Sequence, residues 1–209
     1  MKLLLTGFEP FGESKINPSE QVVRALEREK IAGIELRMAI LPVDRVRGPE
    51  ALIRAVQQLQ PDAVLCLGEA SRRMAISIER VAINLMDYRI PDNAGQQVTD
   101  KPMVPDGPAA YFVTLPVRAM LDAVRAVGVP AELSLSAGAF LCNQVTYVLL
   151  HYLAQNNLRT PAGFAHLPAL PEQVVDRHPL IPSMGLETML VGIKGAIGAI
   201  RANHISIQT

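Results

Sequence analysis

Two cysteines, four histidines and one glutamate inside an apolar strand are the side chains from which this 209-residue sequence could build a nucleophilic site. A nucleophilic cysteine needs a cation or the positive end of a helix beside its sulfur, and an open path to substrate. Cys142 stands in "SAGAFLCNQVTYVLL", after a flexible run of small residues and inside the first turn of the helix that follows. Unpaired backbone N–H groups there favour an anion and would also hold the oxyanion of a tetrahedral intermediate. Cys66, between Leu65 and Leu67 in "DAVLCLG", reads as a small buried hydrophobe. Position alone admits the same packing role for Cys142.

A cysteine nucleophile needs a base. His151 follows Cys142 on the same helix, about 13 Å along the axis and on the opposite side, so it does not qualify. His178, in the Pro-flanked "DRHPLIP", and His204, near the chain end, read as solvated. His166, in "GFAHLP", closes a strand next to a turn, where α/β sheets display functional groups; a hydrogen-bonded core histidine is the other reading. An acceptor must then orient the imidazole. Glu79 lies between Ile78 and Arg80, where the alternation of the strand slips. A carboxylate there is costly to desolvate without a partner, and Arg80, another donor or a histidine is expected to meet it. A solvated glutamate at a bulge is the alternative.

The elements that would position these residues alternate short apolar runs with helical periods, the pattern of an α/β domain whose sheet is covered on both faces. "KLLLTG" is the first strand. "NPSE" then opens a helix, with Asn17 as cap, Pro18 in the first turn, Glu20 closing a capping box, and Val22, Val23 and Leu26 inward. "IELRMAI" is a strand, "PEALIRAVQQLQ" a helix burying Leu52, Val56 and Leu59, and "DAVLCLG" a central strand. "MAISIERVAINL" alternates but shifts phase at Glu79–Arg80, which calls for a bulge or a change of neighbours. Asp87 to Ala110 is Pro-rich and aperiodic, the kind of connection that is functional or contact-making. "PVRAMLDAVRAVG" is a helix with Val117, Met120, Val124 and Val127 on one face and Gly128 as its stop, and "AELSLS" is a strand. A helix from Leu141 to Gln155 lines Val145, Val148, Leu149 and Tyr152 along one side. "GFAHLPAL" is a short strand and turn, and a closing helix follows Ser183 as its cap.

Composition excludes several function classes. Twenty basic and twenty acidic residues without runs give no footprint for nucleic acid or an anionic membrane. "MKLLLTGF" is too short for a signal-peptide core or a membrane span, so a cytoplasmic protein is expected. Two cysteines are too few for a disulfide scaffold or a four-thiolate zinc site. Residues 1–209, with no polar linker, are expected to form a single domain.

The segments "TGFEPFG", "SIERVAIN", "RIPDNAG", "SAGAFLCN", "GFAHLP" and "PSM" resemble, in order and spacing, the motifs of the pyrrolidone carboxyl peptidases, or type I pyroglutamyl peptidases, across essentially the whole chain. The resemblance implies a three-layer α/β/α sandwich with a mixed, mostly parallel twisted sheet, no metal or cofactor, and a homotetramer. It implies a cysteine peptidase that removes N-terminal pyroglutamyl residues from peptides, with Cys142 as nucleophile, His166 as base and then acid, and Glu79 orienting the histidine. Pyroglutamate is a closed lactam without an α-ammonium, so its pocket must offer apolar walls and a few neutral hydrogen-bonding groups. Phe8 and Phe11, in the loop after the first strand, resemble those walls, with Gly7 and Gly12 allowing a sharp turn. Asn17 is a further candidate substrate contact, although helix capping suits it better, and Arg89 is similar to the family's arginine near the reaction centre. The sequence departs from the family at Ser71. "GEASRR" also brings Glu69, Arg72 and Arg73 near the expected pocket mouth, where the arginines would neutralise Glu69 and a different neutral cyclic amide could be preferred. A binding protein that keeps the pocket without turnover is the remaining alternative.

Overall fold

The computed structural model describes residues 1–208, and side chains through residue 206. Its strands are β1 (Lys2–Phe8), β2 (Glu35–Leu41), β3 (Ala63–Glu69), β4 (Ile76–Glu79), β5 (Val81–Ile83), β6 (Ala110–Phe112), β7 (Ala131–Ser134) and β8 (Ala162–Leu167). The helices are α1 (Pro18–Leu26), α2 (Arg47–Leu59), α3 (Val117–Ala126), α4 (Leu141–Gln155) and α5 (Leu186–Gln208), with a short 3-10 turn over Pro171–Gln173. Six strands form one sheet in the order β2-β1-β3-β8-β4-β7. Pairing is parallel throughout except between β4 and β8, which is antiparallel.

Period-2 side-chain alternation divides the core into two layers. Leu3 and Leu5 of β1 and Leu65 and Leu67 of β3 pack with Val22 and Leu26 of α1, Met120 and Val124 of α3, and Ile193 and Ile197 of α5. On the opposite face Leu4, Val64, Cys66 and Phe164 meet Leu52 and Val56 of α2 and Val145 and Leu149 of α4. This is the three-layer sandwich with a mostly parallel mixed sheet that the resemblance implies. The phase slip at Glu79–Arg80 is a change of neighbours. β4 ends in the main sheet at Glu79, and β5 leaves to pair with β6, Val81 opposite Phe112.

Several local expectations are corrected. Asn17 caps α1, its side chain accepting from Ser19 N at 3.0 Å, but Glu20 takes Arg24 at 2.8 Å instead of closing a capping box. Gly7 lies inside β1, and its role is close approach: a Cβ there would stand 2.5 Å from the Ser19 carbonyl oxygen, so only glycine lets α1 start against the strand. Gly12, at φ +61, makes the turn. Val127 is exposed, because α3 ends at Ala126 before its face is completed. Buried residues surround most of α4, including Asn143, Tyr147 and Leu150, so its packing is not confined to one stripe. Ser183 does not cap α5, which starts at Leu186; Ser183 bridges Ala169 instead. His204 is half-buried within α5.

Candidate active site

Cys142 occupies the second position of α4. Phe140 precedes the helix in extended conformation and its side chain provides no cap for the first-turn N–H groups, and Phe140, Leu141 and Cys142 all line the neighbouring cavity. The sulfur fits there because of Gly68 at the end of β3. A Cβ on Gly68 would fall 2.8 Å from Cys142 Sγ and 2.6 Å from the Phe164 ring. Gly68 pairs with His166 of β8 in the ladder, so the gap that takes the sulfur adjoins the strand position that carries the imidazole.

His166 is 3% exposed and packs on Phe164, ring centroids 4.8 Å apart. β4 runs against β8 with Ser77 opposite His166, so Glu79, two residues further, lies on the same face. Glu79 is fully buried, and its Oε1 lies 2.7 Å from His166 Nδ1. The carboxylate makes Nδ1 the protonated nitrogen and leaves Nε2 as the basic one. The partner sought at Arg80 is Arg73, whose Nη1 donates to the same Glu79 oxygen at 2.8 Å. Nothing in the sequence distinguishes Arg73 from Arg72 or Arg80, because all three flank the strand and only the loop conformation turns one inward.

Electrostatics define the resting state. Burial pushes the Cys142 thiol up to about 12, and the charges of Glu79 and Glu69 push the same way against Arg73. The helix N-terminus expected to favour the thiolate is outweighed by this burial. Burial lowers the pKa of His166 despite the opposing hydrogen bond and charge of Glu79. Glu79 is held below the ordinary carboxylate range: burial opposes ionisation, but the hydrogen bond and charge of His166, with Arg73, prevail. The resting trio is therefore a thiol, a neutral imidazole and a carboxylate.

Cys142 and His166 open on a cavity of about 330 Å³. Phe8, Phe11, Asn17 and Arg89 line it with Glu69, Ser71 and Arg73, while Glu79 lies behind His166 and reaches the cavity only through the imidazole. Phe140 completes the aromatic side, 6.2 Å from Phe11 and 4.7 Å from Tyr88 between centroids; in the sequence it carries no signal beyond standing before a helix. Asn17 has its oxygen on Ser19 and donates through Nδ2 to Glu9 O at 3.0 Å, which commits its amide to holding the loop. Arg89 is exposed at the rim. Glu69 is not neutralised by Arg73. It accepts from Gln173 at 3.1 Å, and burial raises its pKa against Gln173 and Arg177. Arg72 lines a separate surface cleft with Arg177 and His178.

The other histidines lie elsewhere: His151 meets the Tyr111 hydroxyl at 2.9 Å, and His178 is exposed. Cys66 is fully buried. A larger open groove of about 780 Å³ beside β2 has no cysteine or histidine in its lining. Among the described residues no group of three or more His, Cys, Asp and Glu is arranged to hold a metal ion, and no helix is long and apolar enough to cross a membrane.

The profile of the Pyroglutamyl peptidase family matches residues 1–203. The pyrrolidone-carboxylate peptidase of Aliivibrio fischeri (strain MJ11) is 46% identical over 207 residues, covering 99% of this chain and 96% of that protein. That of Yersinia pestis (strain Pestoides F) is 46% identical over 204 residues, 97% of this chain and 94% of that protein. The crystal structure of pyrrolidone carboxyl peptidase from the hyperthermophile Pyrococcus furiosus superposes with a TM-score of 0.94 at 40% identity, covering 98% of this chain and 100% of that one. Likeness in sequence and fold over nearly the full length has one explanation, and the chain belongs to the pyroglutamyl peptidase family of cysteine peptidases.

Proposed function

We propose that the protein removes N-terminal pyroglutamyl residues from peptides by acyl transfer through Cys142. The observation that carries this reading is the convergence of Cys142, the Glu79-bound His166 and an aromatic-sided slot in one cavity. Substrate binding displaces water, and His166 Nε2 takes the thiol proton as Cys142 Sγ attacks the pyroglutamyl carbonyl. First-turn N–H groups of α4 receive the oxyanion. The tetrahedral adduct collapses to a thioester as imidazolium His166 gives its proton to the leaving amine. Water then enters, His166 removes its proton, and hydrolysis releases pyroglutamate and the thiol. Glu79 keeps the ring in its Nδ1-protonated form and stabilises the imidazolium between the two proton transfers.

Phe8 and Phe11, with Phe140, supply flat apolar contacts for the uncharged lactam, and Asn17 holds the Phe8–Phe11 loop through Glu9. Arg89 at the rim supplies positive charge near the developing oxyanion. Glu69 and Ser71 favour a second reading within the same chemistry, another neutral cyclic acyl amide, because a half-buried carboxyl group lines the slot. Chromogenic amides of pyroglutamate, proline and glutamine separate the two. Release confined to the pyroglutamyl compound is expected, and faster release from either other amide would overturn the assignment.

The family resemblance further supports a homotetramer, which light scattering of the purified protein tests. Two unpaired thiols, Cys66 and Cys142, suit a reducing cytoplasm. Participation of the first strand and the last helix in one core supports a single domain over residues 1–209.

A further inference from the structure

Arg73 enters the site from the connection between β3 and β4. Its Nη1 donates to Glu79 Oε1 at 2.8 Å, the oxygen that also meets His166 Nδ1 at 2.7 Å. Its Nη2 donates to the carbonyl of Ser136 at 2.8 Å. Ser136 directly precedes Ala137–Leu141, the run that lines the cavity and leads into Cys142. The Arg73 side chain is 24% exposed, and the other Glu79 oxygen is buried with no hydrogen bond among the described residues. One guanidinium therefore joins the acid to the start of the nucleophile's loop.

We propose that Arg73 is a positioning residue of the active site, holding Glu79 and the Ser136 carbonyl in fixed relation so that His166 stays neutral and aligned. The inference rests on the Glu79–Cys142–His166 reading above. A planar fork suits the task because the two acceptors lie on different chain segments and both arms are engaged, which a single ammonium cannot reproduce. Its charge acts in the same direction. A cation beside Glu79 disfavours a second cation on His166 and favours an anion on Cys142. The other charged groups facing this point are Glu79 from β4 and Glu69 from β3, with Asp87 and Arg89 from the connection after β5. Glu79 and Glu69 oppose the thiolate, and Arg73 is the cation hydrogen-bonded within the group.

Loss of the guanidinium should raise the pKa of both His166 and Cys142. Less of the imidazole is then neutral at a given acidic pH, so the acid limb of activity moves to higher pH. The test is steady-state kinetics of the full chain on a pyroglutamyl amide from mildly acidic to mildly alkaline pH, for Arg73→Gln and Arg73→Lys. In Arg73→Gln, kcat should fall roughly ten- to hundredfold, the range that a lost charged hydrogen bond corresponds to, with KM little changed and the limb displaced upward. Arg73→Lys should return the limb towards its original position while recovering only part of kcat. Added ethylguanidinium should partly restore Arg73→Ala. Alkylation of Cys142 by iodoacetamide is read in parallel because it needs no turnover, and its midpoint should move to higher pH in Arg73→Gln. An unmoved limb and an unmoved alkylation midpoint would overturn the proposal, whatever happens to kcat. Failure of the underlying reading looks different: it is wild-type protein that alkylates at Cys142 with the expected Arg73 dependence yet releases no amine.

Discussion

Glu79 carries the negative charge against which the ring of His166 is held. A carboxylate between Ile78 and Arg80 at a broken alternation had to be paired or exposed, and it is buried against His166 and Arg73. Its partner's type was predictable from desolvation, whereas the choice of Arg73 over Arg80 depended on a loop path that no period encodes. Glu79→Gln should lower kcat by roughly a hundred- to ten-thousandfold with little change in KM, since the amide cannot hold the charged imidazole. Stopped assays over a range of substrate concentrations check this, and a defect confined to KM would contradict the orienting role. The pH profile belongs to the same scale. Burial holds His166 below its ordinary value, so the acid limb of kcat/KM should lie below about 6.5, the unperturbed imidazole pKa. A limb above that value would mean that Glu79 outweighs burial.

At the scale of elements, the joint between β3 and α4 depends on the missing side chain at residue 68. Gly68→Ala would set a methyl carbon 2.8 Å from Cys142 Sγ and 2.6 Å from Phe164, and one of them must move. The expected outcome is a loss of turnover of at least about tenfold with a retained circular-dichroism spectrum, because a small displacement of a reacting atom is costly. Unaltered kinetics would show that the sulfur need not occupy this gap. The apolar runs of β1 and β3, the cap at Asn17 and the extent of α4 were all legible, since each follows from local patterning. The start of α5 was not: Ser183 has the chemistry of a cap, but its bridge to Ala169 fixes it in the turn after β8, and the helix begins at Leu186. Likewise the phase slip announced a change of neighbours, while the antiparallel course of β4 against β8 is set by long-range pairing.

For the whole molecule, acid should be destabilising, because three depressed values, those of His166, Glu79 and Asp44, stand against the raised value of Glu69, which works the other way. His166 is neutral in the folded protein and its pKa there is lowered, so between the folded and unfolded values the unfolded chain binds more protons. Stability is then lost as pH falls below about 6.5, the unfolded imidazole value. Glu79 and Asp44, also depressed, extend the loss to lower pH as their carboxylates take up protons. The melting temperature should fall steadily on acidification from neutrality, and a flat or rising profile would mean that the buried imidazole is not neutral. The two core layers hold α4 against the sheet so that Cys142 Sγ stands in the cavity beside His166, placed to make the bond to the acyl group. The most direct measurement is amine release from a pyroglutamyl amide by wild-type protein and by Cys142→Ala, each confirmed as folded. Turnover is expected from wild type, lost after treatment with iodoacetamide, and absent from Cys142→Ala; release by Cys142→Ala at the wild-type rate would show that another group forms the acyl bond.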